Sequence, residues 1–500
     1  MHLLRRLQST VSTASGILLL VGLVAFGSYA YFCWRNTWTM PGGADSSGYF
    51  NLARCLERGE IHAPARPIEG LPPRALPSFA YVPLGFQPDH NGATMTPTYP
   101  LGVPAAFLAG AKCFGWFYGP DLVLWLHTLA GVWFTYALAR QAGAQTAGAM
   151  IAATALAVSP LYLNFALQAM SDVPALTWAA GALWLAGRRT KTSAALAGLA
   201  FGFAVLVRPS NALLLPALVV ALGWSWRRLL AFGLGGLPMG VAFLGFNRAA
   251  YGSPFVTGYG DIGSLMRWAH VPITSAHYGR WLPVLLSPLV VLVLAWPWLM
   301  RSGRRAAIVH ALAAAPLLVF YAFYYHTHET WWYLRFVLPV FPSLIVLATL
   351  GGERLVAKIP SLAARGVLAA ACLAIVVANG VAWSAHFGVR SAGRNERIYP
   401  AAVALARNLP ANAVLVAMQT SGALFYGTDR IVVRWDTLEG AWPRIRDAAR
   451  AAGRPIYAVF FEFEVKEAFV DDKTPGDWEK LHQQQDFSIW RLRTEPAPAR

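Results

Sequence analysis

Five hundred residues with 56% hydrophobic content, 13% charged residues and a net charge of +17 lie far from a soluble domain, in which about a quarter of residues carry charge. The positive charge does not point to nucleic acid, because Lys and Arg fall in small groups between apolar runs and form no basic segment with interleaved aromatics. The four cysteines, Cys33, Cys55, Cys113 and Cys372, lack metal-ligand spacing.

The chain opens with Arg5 and Arg6, then an apolar run from Gly16 to Trp34 with no small-residue cleavage site before Tyr31 and Phe32, which reads as an uncleaved anchor. Further apolar runs of about 14 to 22 residues follow, and the longer ones match the ~20 residues that cross a bilayer as helix. They are Leu122 to Ala139, Ala147 to Leu163, Val173 to Gly187, Ala194 to Val207, Ala212 to Trp224, Leu229 to Phe246, Trp281 to Met300, Ala306 to Tyr325, Phe336 to Leu350 and Leu362 to Trp383. The expected fold is an α-helical polytopic membrane protein of about eleven transmembrane helices. The pair from Ala194 to Trp224 is short enough to be a re-entrant hairpin instead.

Orientation follows from the basic groups at Arg5 and Arg6, Arg140, Arg188 to Lys191, Arg227 and Arg228, Arg301 to Arg305, and Arg354 to Arg365. Short loops rich in Lys and Arg stay in the cytoplasm. Placing all of these groups inside requires that one of the three apolar runs before Arg140 not cross; Tyr99 to Phe114 is the shortest, opens with Tyr-Pro-Leu-Gly-Val-Pro and carries Lys112, and is placed on the outer surface. Residues 35–121 then form one large outer loop holding surface helix 99–114, and Glu353 is the one acid before residue 396 that falls inside. From residue 393 the pattern changes. Short β-rich runs at Val414 to Met418, Ile431 to Trp435, Ile456 to Phe461 and Phe487 to Leu492 alternate with helical patterns near Ala401 to Asn408 and Trp442 to Ala451. The expected division is a membrane domain, 1–392, and a small extracytoplasmic α/β domain, 393–500.

Candidate chemistry collects at the outer mouths of the helices. Asp45, in Gly-Gly-Ala-Asp-Ser-Ser-Gly-Tyr, follows the first span, and Asp172, in Met-Ser-Asp-Val-Pro, opens another. Each is equally a helix cap by its spacing. As a pair they can divide acid-base work or share a divalent cation. Arg208 and Arg335 lie at span edges, where a guanidinium either anchors at the headgroups or meets phosphate. His328 and Glu329 stand among aromatics in His-Thr-His-Glu-Thr-Trp-Trp-Tyr-Leu-Arg, either an interfacial belt or the wall of a sugar or phosphate site.

The ordered set Asp45-Ser-Ser-Gly-Tyr49, Tyr99-Pro-Leu-Gly-Val-Pro104, Ser171-Asp172-Val-Pro174, Arg208-Pro209, Tyr251-Gly-Ser-Pro254 with Thr257-Gly-Tyr259, and Arg335-Phe-Val-Leu-Pro339 resembles the GT-C superfamily of glycosyltransferases. It is nearest the Rgt-type and lipid A aminoarabinose transferase branch, related to protein O-mannosyltransferases. The resemblance implies an inner (plasma) membrane enzyme that moves a sugar from a polyprenyl-phosphate donor to a glycan, lipid or protein acceptor on the extracytoplasmic face, with inversion. It implies Asp45 as catalytic general base or acceptor-binding group, Asp172 as second acid or metal ligand, Arg208 and Arg335 on the donor phosphate, and Tyr49, Tyr99, His328 and Glu329 lining the substrate. Ser46 and Ser47 after Asp45, and Asp172 where relatives often carry Glu, depart from the pattern and leave the metal open. Outward acids and arginines at helix ends also suit a transporter of a small polar or anionic substrate.

Overall fold

The computed structural model describes residues 20–90, 92–295, 304–470, 473–484 and 486–493. The start of the first expected span, Arg5, Arg6, Arg301 and the end of the span expected at Trp281 to Met300 lie outside them.

Each expected span falls on helical structure, but few are straight full-length helices. Five described helices are long and apolar enough to cross a bilayer, or up to seven when each bent pair counts as one. The remainder are short or broken, which apolar length alone does not reveal. Thr146–Ala157 and Pro160–Ala166 meet at 59°, because Pro160 begins a new helix capped by Ser159. The expected span from Trp281 is displaced: its helix starts earlier, at His270, ends at Leu286 and turns through 114° into Pro288–Ala295. The Trp331–Val356 span is central, with 83% of its apolar window buried, whereas Trp226–Tyr251 and Leu362–His386 are 6% and 11% buried and lie at the periphery.

The run expected as surface helix 99–114 begins at Gly102 and continues into the next span as Gly102–Gln141, broken at Gly115. Gly115 takes φ 76°, which a side chain disfavours. Gly110 then packs directly on Gly119, so the two limbs fold back on each other. Close contacts of small residues recur between Lys191–Val207 and Trp226–Tyr251, where Gly198 faces the Phe232 backbone and Gly235 faces Ala195, the packing that glycine spacing in apolar helices favours.

The basic groups gather at one end of the bundle. Arg305 donates to the carbonyls of Val220 and Ala221, both at 3.0 Å, and stands near Arg189 and Arg228. Gln141 reaches the Trp184 carbonyl at 2.9 Å, beneath Arg188, and Glu353 accepts from the Gln145 amide at 2.8 Å, close to Arg140. Arg208, Asp172 and Asp45 meet at the other end. The short pair of helices around Arg208 therefore runs from the basic end to the acid end and back, rather than dipping part way.

The C-terminal segment forms a five-stranded mixed sheet in the order Ile431–Val433, Val414–Val416, Ile456–Phe461, Phe487–Leu492, Trp478–Gln484. The first three strands are parallel and the last two antiparallel. Helices Ile398–Arg407 and Trp442–Ala451 accompany it, as expected. The edge strand Trp478–Gln484 was not expected; its outer residues are exposed and polar, so it lacks the apolar alternation that marks a strand.

The loop after Asp45 belongs to this unit as much as to the membrane helices. Ile68, Leu71, Ala80 and Tyr81 share one core with the sheet, and Arg66 donates to the Thr428 carbonyl at 2.6 Å. Helix Ala44–Glu57 is consequently held on two sides. Phe50 packs on Phe107 of one limb and on Tyr426 of the C-terminal unit, and Asn51 donates to the Gly422 carbonyl at 3.1 Å.

Candidate active site

The two candidate acids do not cap their helices. Helix Ala44–Glu57 has Gly43 as its N-cap and no side-chain cap bond, so Asp45 sits in the first turn with its carboxylate free to reach elsewhere. Ser46 and Ser47 turn away to the carbonyls of Ala169 and Gly43, at 3.1 and 2.6 Å. Asp172 likewise opens Asp172–Gly187 after Ser171 without a capping bond. Both carboxylates lie where the helix dipole favours negative charge.

Each is aimed at a guanidinium. Arg335 Nη2 pairs with Asp45 Oδ2, and Arg335 Nε donates to Asp172 Oδ1 at 3.0 Å. Arg208 Nη2 reaches the same Asp172 oxygen at 2.7 Å, and its Nη1 donates to the Arg335 carbonyl at 3.0 Å. Local sequence explains the placement of Arg208. Preceding Pro209, it is driven out of the helical region to φ −147°, ψ 108°, which ends Lys191–Val207 and turns its side chain inward. Arg335 is carried by the 3-10 segment Trp331–Val340.

The burial of the acids differs. Asp172 is fully buried and its Oδ2 has no partner among the described residues, whereas the Asp45 side chain keeps 20% exposure. Burial alone would push the Asp45 carboxyl up, but the adjacent Arg335, the Tyr99 hydroxyl and the more distant Arg208 outweigh it and hold the carboxyl below its ordinary value of 3.8. Asp45 is therefore ionised at neutral pH. Burial keeps the Tyr99 phenol protonated, so its hydroxyl remains a donor facing that carboxylate.

The structure brings Asp45, Asp172, Arg208, Arg335, Tyr49 and Tyr99 together. The Tyr49 and Tyr99 rings lie 5.1 Å apart, and Tyr49 faces Ser171. His328 and Glu329 stand aside: His328 shares a hydrogen bond with Thr274 at 3.1 Å, and Glu329 with His326 at 2.8 Å. No hydrogen bond or ion pair joins either to the four charges among the described residues, although Tyr333 is near both Glu329 and the Asp45–Arg335 pair. Tyr259 and Tyr321 join the site without having been singled out for it. Tyr259 lies 6.2 Å from the Tyr99 ring and near Asp45, and Tyr321 donates to Ser210 at 2.8 Å beside Arg208. Tyr321 is one hydroxyl inside an apolar run, and nothing in its local sequence marks it.

A divalent cation shared by Asp45 and Asp172 does not fit this arrangement. Arg335 lies between the two carboxylates, and a second guanidinium holds the Asp172 oxygen that a cation would take. Among the described residues no group of three or more His, Cys, Asp or Glu side chains gathers.

The family model for dolichyl-phosphate-mannose-protein mannosyltransferase matches residues 121–247, which include Asp172 and Arg208. No curated protein matches the chain in sequence. Among solved structures, the chain is similar to ArnT from Cupriavidus metallidurans in the apo state, at TM-score 0.60 and 16% identity, over 96% of this chain and 98% of that one. The form of that ArnT bound to undecaprenyl phosphate gives 0.59 at 16% identity, over 94% and 97%. The Archaeoglobus fulgidus oligosaccharyltransferase tethered to an acceptor peptide gives 0.54 at 12% identity, over 95% of this chain and 75% of that one. The chain thus shares its fold end to end with these membrane glycosyltransferases, and the family-model match covers the segment that carries Asp172 and Arg208.

Proposed function

We propose that the protein transfers a sugar from a polyprenyl-phosphate donor to a hydroxyl acceptor, at the end of the bundle that faces away from the cytoplasm. The observation that carries the reading is an ionised, partly exposed Asp45 paired with Arg335, itself anchored by a fully buried Asp172. A base and a phosphate binder are thereby held side by side. The fold supports a lipid-phosphate donor, since an ArnT of the same fold was solved with undecaprenyl phosphate.

In this reading the acceptor oxygen attacks the anomeric carbon and hands its proton to Asp45. The bond from that carbon to the phosphate oxygen breaks, and its electron pair leaves with the lipid phosphate. Arg335 Nη1 and Arg208 Nε carry no hydrogen bond among the described residues. Those donors meet the negative charge that grows on the phosphate, in a site where water screens little. Attack opposite the leaving group inverts the anomeric carbon. Asp172 touches neither reactant; it fixes both guanidiniums.

The test gives the purified full chain a panel of radiolabelled polyprenyl-phosphate sugars and compares it with Asp45→Asn. Transfer by the wild type, lost in the variant, supports the assignment. Equal transfer by both, or transport of a small anion without transfer, removes it.

A further inference from the structure

A second group of arginines stands at the same end of the bundle, away from the four paired charges. Arg35 closes the first helix, residues 20–36, and Arg390, Arg394 and Arg397 lie on the segment after the last span, Leu362–His386. Two adjoining cavities, of about 610 and 390 Å³, share Phe32, Asn36 and Arg394 in their walls. The first adds Arg35 and Arg397, and the second Arg390 and Ser391.

The cleft is built rather than incidental. Gly393 sits where the backbones of Asn36, Leu167 and Trp38 meet, and a Cβ there would collide with the carbonyls of Asn36 and Leu167, so the arginine-bearing segment is locked onto the end of the first helix. The Arg397 guanidinium lies over the Trp38 ring at 3.6 Å, which holds it flat and leaves its edge donors free.

The charge is also uncompensated. None of the four arginines forms an ion pair or a side-chain hydrogen bond among the described residues. The acid within their own segment is turned away: Glu396 packs against Gly42 and Tyr399, with its Oε2 lacking any partner there, and burial pushes its carboxyl up to about 7. Four like charges left open in one cleft repel one another, and a bound anion relieves that repulsion.

The surroundings specify an anion with a hydrocarbon tail. Phe32 and Ala385 line the cleft from the first and last membrane helices, and below it Val24, Leu23, Val377 and Val381 of those helices are exposed. Tyr31 and Trp38 line the same cleft, and amphipathic aromatics of this kind mark a headgroup boundary. We propose that this cleft binds the phosphate of an anionic lipid, whose chains run down the exposed faces of the two helices. The phosphate belongs to a bilayer phospholipid or to a polyprenyl phosphate, and the chemistry of recognition is common to both.

The test uses the full chain in detergent, incubated in turn with phosphatidylglycerol, phosphatidylcholine and undecaprenyl phosphate, with retained lipid counted by native mass spectrometry. The wild type retains an anionic lipid in preference to phosphatidylcholine, and whichever of the two anionic probes it retains identifies the source. Arg390→Gln with Arg394→Gln loses that preference by about fivefold for each arginine removed. Arg444→Gln, at an exposed arginine on the C-terminal unit, leaves it unchanged, and equal melting temperatures for all variants show that folding is intact. Equal retention of anionic lipid by wild type and double variant overturns the proposal. So does displacement of the lipid by inorganic phosphate at the concentration at which the lipid itself binds, because the hydrocarbon tail would then contribute nothing. Loss of transfer in Asp45→Asn, with lipid preference kept, separates this site from the transfer reading.

Discussion

Two sets of arginines occupy the same end of this bundle and are handled in opposite ways. Arg208 and Arg335 are buried, and their charge is balanced by Asp172 and Asp45. Arg35, Arg390, Arg394 and Arg397 are exposed and balanced by nothing among the described residues. Burying a guanidinium costs several kcal/mol unless a carboxylate compensates it, so the inner pair exists only as part of a network whose geometry is fixed in advance. The outer set bears no such cost, and it attracts charge without dictating where an atom must sit. A fixed network suits a reacting centre, and a loose cluster suits capture of a headgroup.

The sharpest way to break the contrast is to remove an inner charge. Arg335→Leu leaves Asp45 without its ion-pair partner and Asp172 with a single guanidinium, and loss of one member of a buried pair costs about 3–5 kcal/mol. Thermal unfolding in detergent should show the drop, with lost transfer alongside it. Asp172→Asn should behave in the same way, because two guanidiniums depend on its one oxygen.

Asp45→Asn separates chemistry from support. Its side chain is partly exposed and its loss leaves Arg335 still held by Asp172, so stability should fall less than for Arg335→Leu. The transfer rate should drop about 10²- to 10⁴-fold, the usual contribution of a positioned acid or base. Since Arg335 holds the Asp45 carboxyl below 3.8, the wild-type rate should show no loss attributable to this group as pH falls from 7 to about 5. An acid limb centred near neutral pH that disappears in the variant would contradict that electrostatic picture.

How far these residues could be read in advance depends on the range of the forces that place them. Asp45, Asp172, Arg208 and Arg335 are charges at the ends of apolar runs, an arrangement costly enough to stand out in a single sequence. Their mutual pairing was not legible, and capping competed with it, because the two readings differ only in which distant helix supplies a donor. The other four strands of the C-terminal sheet announce themselves by apolar runs, whereas the edge strand Trp478–Gln484 carries mostly exposed polar residues. The bend after Leu286 is likewise silent, as the apolar run continues through it. The outer arginine cleft is assembled from the first helix and the segment after the last span, so no local window contains it.

A smaller effect tests how the outer cleft stays positive. Glu396, among these arginines, has its carboxyl pushed by burial from 4.5 up to about 7. Between those values the unfolded chain has released the proton and the folded chain keeps it. Stability therefore falls as pH rises through that window, and it levels off above the folded value. The slope should reach at most about 1.4 kcal/mol per pH unit. Glu396→Gln should flatten it, measured as melting temperature against pH. A slope that survives the substitution would come from another group, whereas a wild type without the slope would mean the carboxyl is ionised in the fold, and the arginines would then have a counter-charge.

The smallest expected effect is the most discriminating for the contrast between the two sets. Arg390→Gln and Arg394→Gln remove exposed charges that form no ion pair among the described residues, so unfolding free energy should move by less than about 0.5 kcal/mol. Relief of repulsion within the cluster makes slight stabilisation the expected sign, fading as added salt shortens the screening length. A large loss of stability would show that these side chains brace the first helix against the last, and the cleft would be a structural joint rather than a place for an anion. A salt-dependent gain, in a protein that no longer retains anionic lipid, is what four arginines left open for a ligand require.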